Sequence, residues 1–160
     1  IARKKIKKIN NKSKVKSYRI RLGKSNIEKL IKKYDIICDG TDNFETRFLI
    51  NDQSLKQKKV LISAAVNGFE GHIFKFDFRR KTPCYRCFMP EDPGQHNNCD
   101  SLGVTPTITG IIGTLQANEV LNSILNFKSN MEKKLIIFNS IKMSFRKVNL
   151  SRNNNCKNKC

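Results

Sequence analysis

No apolar run in this chain approaches the roughly 20 residues that a membrane-spanning helix needs. The best candidate, residues 107–125, is interrupted by Gln116, Asn118, Glu119 and Asn122. The N-terminus is a lysine-rich run without the apolar segment that a secretory signal peptide carries. These two absences predict a cytoplasmic protein without a membrane partner.

Acidic residues are also scarce. The chain has 13 Asp and Glu residues but 32 Lys and Arg residues, which gives a formal net charge of +19. Such a balance is typical of proteins that bind nucleic acid. Here, however, the lysines are spread along the whole chain, and Ile, Lys and Asn are abundant together, as an AT-rich coding sequence would produce. We therefore interpret the charge mainly as compositional, and we keep nucleic acid and acidic proteins as alternative partners.

A chain of 160 residues with 38% hydrophobic content suits a single domain with its own core. Residue spacing predicts strands at 15–22, 34–38, 60–66, 72–78, 135–138 and 143–150, and helices at 1–12, 25–33, 43–59 and 107–126. Alternating strands and helices followed by hairpin-like strands predict an α/β fold, with a parallel sheet and an antiparallel extension. Within the last helix, Gly110 and Gly113 lie one turn apart and predict a close approach to the sheet.

The most informative motif is the run Cys38–Asn43, which directly follows a short apolar strand. Ligands of open α/β sheets bind just beyond the carboxyl ends of the strands. Asp42 is therefore either the N-cap of the next helix, with Glu45 completing a capping box, or a ligand for the Mg²⁺ that neutralises ATP phosphates. Arg47 and Asn51, one helical turn apart, either support that site or form an ordinary polar surface.

Six cysteines in a chain without secretory features favour metal binding or catalysis over disulfides. Two pairs have the ligand spacing of a zinc site: Cys84 with Cys87, and Cys156 with Cys160. A compact set of Cys84, Cys87, His96 and Cys99 is the rival site, and the absence of any metal is the third possibility. A thioredoxin-type redox pair is disfavoured because no amphipathic helix follows Cys87. A four-cysteine zinc site would tie the polar C-terminal tail to the central loop.

Two cysteines stand apart from these pairs. Cys99 lies in the long loop 79–106, where it is either a reactive thiolate activated by a neighbouring cation or an inert thiol. Cys38 lies inside an apolar strand, and we expect it to pack in the core.

Taken together, the motifs resemble the ThiF/MoeB/HesA family, the bacterial relatives of ubiquitin-activating enzymes. The resemblance rests on Cys38–Asn43 with Arg47 and Asn51, on residues 67–72, 83–87 and 110–119, and on Cys99 before Gly103 and Val104. It spans nearly the whole chain from Ala2 onward, with several independent motifs in family order. It implies an incomplete Rossmann-like sheet in a single domain over residues 1–160.

Family members use ATP to adenylate the C-terminal glycine of a ubiquitin-like sulfur-carrier protein in molybdopterin, thiamine or tRNA-thiolation pathways. By this resemblance Asp42 matches the aspartate of the Mg·ATP site, which we expect to include Asn43, Arg47 and Asn51. The resemblance also implies that Cys99 forms a sulfur-linked adduct with the carrier. It assigns structural zinc to four ligands: Cys84, Cys87, Cys156 and Cys160.

The chain departs from the family pattern in two ways. The last cysteine pair has three intervening residues where the family usually has two, and the Gly-rich loop and basic residues that hold ATP phosphates are missing. We therefore expect a C-terminal piece that is impaired alone and acts as a homodimer or with a separate N-terminal half. Two alternatives are a non-catalytic zinc-stapled module that binds a ubiquitin-like partner, and a basic zinc protein that binds nucleic acid.

Overall fold

The computed structural model describes residues 1–92 and 103–160. In chain order the elements are α1 (Ala2–Ile9), α2 (Ile27–Ile31), β1 (Ile36–Asp39), α3 (Phe44–Lys56), β2 (Val60–Asn67), β3 (Glu70–Asp77), α4 (Tyr85–Phe88), α5 (Pro106–Ile124), β4 (Lys134–Asn139) and β5 (Ser144–Asn149). Most of the predicted helices and strands are present within a few residues of their expected bounds.

The five strands form one sheet in the order β1-β2-β3-β4-β5. β1 and β2 run parallel, with Ile36 opposite Val60 and Asp39 opposite Ser63, and the other three pairings are antiparallel. The predicted α/β fold with an antiparallel extension is therefore confirmed. The last residue of β1, Asp39, lies opposite Ser63 in the middle of β2, so β1 ends before β2 does. The loop after β1 therefore lies at an edge of the sheet.

Helices pack on both faces of the sheet, although β5 is largely exposed. The larger core lies on the side of α2, α3 and α4, where Phe74 and Phe76 of β3 pack with Phe48 and Tyr85. On the opposite side, α5 packs against β2 and β3. Both faces of β3 are consequently buried, and even Lys75 is only 6% exposed. A lysine can be buried there because its Nζ lies 3.3 Å from a carboxylate oxygen of Glu119 in α5.

The expected close approach of α5 to the sheet occurs, but Gly110 and Gly113 do not cause it. Both are exposed, and an added Cβ at either would meet no atom within 4 Å. Contact instead depends on Gly71 of β3, where an added Cβ would lie 2.2 Å from Cγ1 of Ile112. Glycine on the strand, rather than on the helix, makes room for the branched side chain.

No helix in the described ranges is long and apolar enough to cross a bilayer.

Two further predictions are wrong. Residues 15–22 form no strand, although the segment alternates weakly, because it has no neighbouring strand to complete its backbone hydrogen bonds. Cys38 is exposed rather than packed. β1 is the edge strand of the sheet, so an apolar sequence there does not ensure that every side chain is covered.

Candidate functional site

Asp42 lies in the loop between β1 and α3, and its side chain is exposed. It is not the N-cap, so that interpretation and the capping box with Glu45 are wrong. Asn43 caps α3, because its backbone is extended and its Oδ1 accepts a hydrogen bond of 2.9 Å from the amide of Thr46. The Asp42 carboxylate accepts a 3.2 Å hydrogen bond from the Asn43 side chain. It is therefore left at the surface, available to a cation.

The backbone before Asp42 is held by a buried polar network around Asp39, which is 1% exposed. One carboxylate oxygen of Asp39 accepts hydrogen bonds from the amide and hydroxyl of Thr41, at 2.9 and 2.7 Å. The other accepts a 2.7 Å bond from the Ser63 hydroxyl in β2. Arg47 places its Nε 3.3 Å from the same oxygen and donates from its guanidinium to the Thr41 carbonyl. Both backbone groups of Thr41 are thus fixed immediately before Asp42.

Arg47 and Asn51 do not form an ordinary polar surface, since they are only 7% and 0% exposed. The Arg47 guanidinium lies over the Tyr85 ring at 5.8 Å. The Asn51 Oδ1 accepts a 2.9 Å hydrogen bond from the Tyr85 amide. These two side chains connect the Asp42 end of α3 to the segment that carries the first cysteine pair. Their contact with ATP, like that of Asn43, stays a prediction.

Two cavities among the described residues lie elsewhere, and Asp42 lines neither of them. One, of about 410 Å³, lies beside Arg86 and Cys156, and the other, of about 180 Å³, lies beside Lys75 and Asp77. A nucleotide at Asp42 would consequently bind at the sheet edge rather than in either cavity.

The four cysteines predicted as metal ligands are brought together. Their Sγ atoms all lie within 4.8 Å of one another. The separations are 3.6 Å from Cys84 to Cys156, 3.1 Å from Cys87 to Cys160, and 3.8 Å from Cys156 to Cys160. A tetrahedral zinc site with bonds of about 2.3 Å places its sulfur atoms roughly 3.8 Å apart. The three-residue spacing of the last pair does not keep Cys160 out of the set.

The thiols in this cluster are poorly solvated. Burial raises the pKa of Cys84 to about 11, and burial together with the Cys87 thiol raises the pKa of Cys160. Burial opposes ionisation of Cys87 as well, but backbone hydrogen bonds with Asn153 and Cys84 lower its pKa. A soft divalent cation would stabilise the thiolate forms that burial disfavours, so the donor set fits a metal ion.

The rival compact site requires His96 and Cys99, and the proposed reactive thiol is also Cys99. Both residues lie outside the described residues, and these predictions stay predictions.

The pattern that defines the ThiF family matches residues 1–158 of the chain. The chain belongs to the ThiF family. It is similar to a probable molybdopterin-synthase adenylyltransferase of Pyropia yezoensis, with 37% identity over 153 residues. It is also 31% identical over 162 residues to a sulfur carrier protein adenylyltransferase of Thermus thermophilus.

The ThiF-family chain spans only part of these relatives. The matches cover 94% and 98% of the chain but 40% of the Pyropia protein and 60% of the Thermus protein. Among solved structures, the fold is similar to that of E. coli MccB, with a TM-score of 0.81 and 16% identity. That match covers 99% of the chain and 48% of MccB.

In this ThiF-family chain, sequence reasoning missed the residues that support the site from within. The motif Cys38–Asn43 contains Asp39, and a carboxylate that directly follows apolar strand residues is itself a signal of a buried partner. Gln116 of α5 was also missed. Its side-chain amide donates to the carbonyls of Asp39 and Ile62 at 2.9 and 2.8 Å, which joins α5 to the carboxyl end of β1.

Asp39→Asn is expected to destabilise the fold by about 3 kcal/mol, because it leaves the Arg47 guanidinium buried without its counter-charge. Urea unfolding measures this loss. Ser63→Ala is the milder comparison, since it removes one hydrogen bond and should cost about 1 kcal/mol. An unchanged unfolding midpoint for Asp39→Asn would show that the network does not hold the loop.

Proposed function

We propose that this chain forms part of an ATP-dependent adenylyltransferase that activates the C-terminal glycine of a ubiquitin-like sulfur-carrier protein. Asp42 is the proposed acidic group at the Mg·ATP site. Asn43, Arg47 and Asn51 are proposed to support that site, Arg47 and Asn51 from within the fold.

The single observation that carries the proposal is the exposed Asp42 carboxylate at the carboxyl end of a parallel strand pair. This is the edge of an α/β sheet at which ligands bind. The Asp39–Arg47 network fixes the preceding backbone, so the carboxylate is positioned before any ligand arrives. Preorganised charge is the main means by which proteins assist phosphoryl and nucleotidyl transfer.

In the proposed reaction, a carboxylate oxygen of the carrier's terminal glycine attacks the α-phosphorus of ATP. The bond from the α-phosphorus to the bridging oxygen breaks, pyrophosphate leaves with that electron pair, and a glycyl adenylate remains. Mg²⁺, when bound, would neutralise negative charge on the phosphates. Asp42 can hold the cation with one carboxylate, because Mg²⁺ sites commonly combine one or two protein carboxylates with phosphate oxygens and water.

For the cysteine cluster we propose zinc, held by Cys84, Cys87, Cys156 and Cys160. The buried, closely spaced sulfurs support this choice, since tetrahedral sulfur sets are typical of structural zinc. Bound zinc would join the C-terminal tail to the segment around Tyr85, which itself contacts Arg47 and Asn51.

The names of the relatives favour a carrier of the molybdopterin-synthase or a related sulfur-carrier type. The expected glycine-rich ATP loop has no counterpart among these 160 residues. We propose that further polypeptide supplies it, that the assembly is a homodimer or includes a separate N-terminal half, and that it acts in the cytoplasm. Cys99 is proposed to form the adduct with the activated carrier.

Pyrophosphate exchange tests the proposal. The chain is mixed with ATP, Mg²⁺, labelled pyrophosphate and a ubiquitin-like carrier, and label entering ATP is measured, first alone and then with the polypeptide that carries the glycine-rich loop. We expect little exchange from the chain alone and carrier-dependent exchange from the combination. A carrier that lacks its C-terminal glycine is the control, because it has no carboxylate in the correct place.

Absence of exchange in both forms, with carrier binding retained, would leave the non-catalytic module as the function. Nucleic-acid binding that falls steeply with rising salt would instead support the third alternative, which the charge of +19 favours.

A further inference from the structure

The second cysteine pair encloses three residues, and the middle one behaves differently from its neighbours. Lys157 and Lys159 are exposed, whereas the Asn158 side chain is half-buried and turned toward α3. The three-residue loop therefore contains one side chain that reaches back into the protein.

Asn158 donates from its Nδ2 to two acceptors. It lies 2.7 Å from Oδ1 of Asp52 and 3.8 Å from Sγ of Cys84. An ionised carboxylate can only accept hydrogen bonds, and a thiolate likewise accepts. Because the Asp52 carboxylate accepts at 2.7 Å, the amide nitrogen of Asn158 rather than its oxygen must face Asp52, and the same nitrogen faces the Cys84 sulfur.

Asp52 is itself held firmly on α3. Arg86 donates to the Asp52 carboxylate through Nε and Nη2, each at 2.8 Å. The side-chain amide of Asn51 donates a further hydrogen bond of 3.0 Å. Arg86 lies between Cys84 and Cys87 in sequence and stacks on Phe48, 4.3 Å from the ring centre. One carboxylate thus connects α3 to both cysteine pairs.

We propose that Asn158 and Asp52 form an outer shell of the metal site. Asp52 orients the Asn158 amide, and that amide donates an N–H to the Cys84 sulfur. Four thiolates leave a divalent ion with excess negative charge, so a donor aimed at one sulfur stabilises the loaded site. This inference rests on the proposed metal site and is independent of adenylation chemistry.

The test is metal affinity of the full chain, measured by competition with a chelator for Zn²⁺ and by the absorption spectrum of the Co²⁺-loaded protein. Asn158→Ala is expected to weaken Zn²⁺ binding about 10-fold, the lower end of typical outer-shell effects, and to shift the thiolate-to-cobalt absorption bands. Asn154→Ala is the matched control, because it removes an exposed asparagine from the same tail. It should bind metal as the original chain does.

Two further measurements separate an outer-shell role from general support of the tail. Once Asp52→Ala is present, adding Asn158→Ala should weaken binding little further, since the amide has already lost its anchor. Asn158→Ala should also lower the unfolding midpoint of the metal-loaded protein more than that of the metal-free protein.

Equal losses in the two forms, or unchanged Zn²⁺ affinity, would overturn the proposal. So would failure of the original chain to bind metal. Failure of pyrophosphate exchange would refute the adenylation proposal and leave this one standing.

Discussion

Cys84→Ser is expected to abolish stoichiometric metal binding and to destabilise the domain strongly. Cys84 is fully buried, and its sulfur lies 3.6 Å from that of Cys156. Serine has a similar volume, so the loss is one of metal ligation rather than of packing. If the original protein holds metal at about a thousand times its Kd, the change removes about 4 kcal/mol. For a chain of this size that corresponds to a melting temperature lower by roughly 10 °C.

Metal analysis and thermal unfolding check this prediction together. We expect about one metal per chain in the original protein and in Cys38→Ser, the control that removes an exposed cysteine outside the cluster. Cys156→Ser should lose metal as Cys84→Ser does. If Cys156→Ser keeps its metal while His96→Ala releases it, the compact set of ligands is correct instead.

Asp42→Asn is expected to reduce carrier-dependent pyrophosphate exchange by about 100- to 1000-fold, the range seen when one preorganised electrostatic group is removed. The substitution keeps the size of the side chain and removes the charge that would hold Mg²⁺. Its effect on stability should be small, because Asp42 is exposed and does not cap α3. The exchange assay is run in the form of the protein that shows activity.

Two neighbouring variants make this result specific. Asp35→Asn removes an exposed aspartate at the opposite end of β1, and it should leave exchange unchanged. Asn43→Ala removes the cap and should cost about 1 kcal/mol of stability, whereas Asp42→Asn should not. Normal exchange by Asp42→Asn would contradict the proposed Mg·ATP site even if the rest of the family assignment holds.

Local patterns were sufficient for much of the fold. The apolar runs at 34–38 and 60–66 became the parallel pair β1 and β2, and the alternation at 72–78 became β3. These predictions succeeded because each pattern reports how the apolar and polar side chains of one element are distributed between its faces. The failure at 15–22 has the same origin, since alternation describes a face but does not provide a neighbouring strand.

For the candidate site, too, some features could be predicted from local sequence patterns and others could not. Spacing left the four cysteines as one of three alternatives, and the family resemblance selected them. The structure brings their sulfurs together, although the two pairs lie some seventy residues apart. Spacing did not reveal that Arg47 and Asn51 are buried, or that Asn43 rather than Asp42 caps α3. The sequence predicts which face of a helix a residue lies on. Whether that residue is buried depends on which other segment packs against that face.

The sequence by itself determined the family, the order of most helices and strands, and the chemistry available at Asp42 and the cysteines. Only the tertiary structure decided which charged groups are buried as pairs: Asp39 with Arg47, and Lys75 with Glu119. The physical reason is that a charge is buried only where another element supplies its counter-charge, and the periodicity within one element does not record such a pairing.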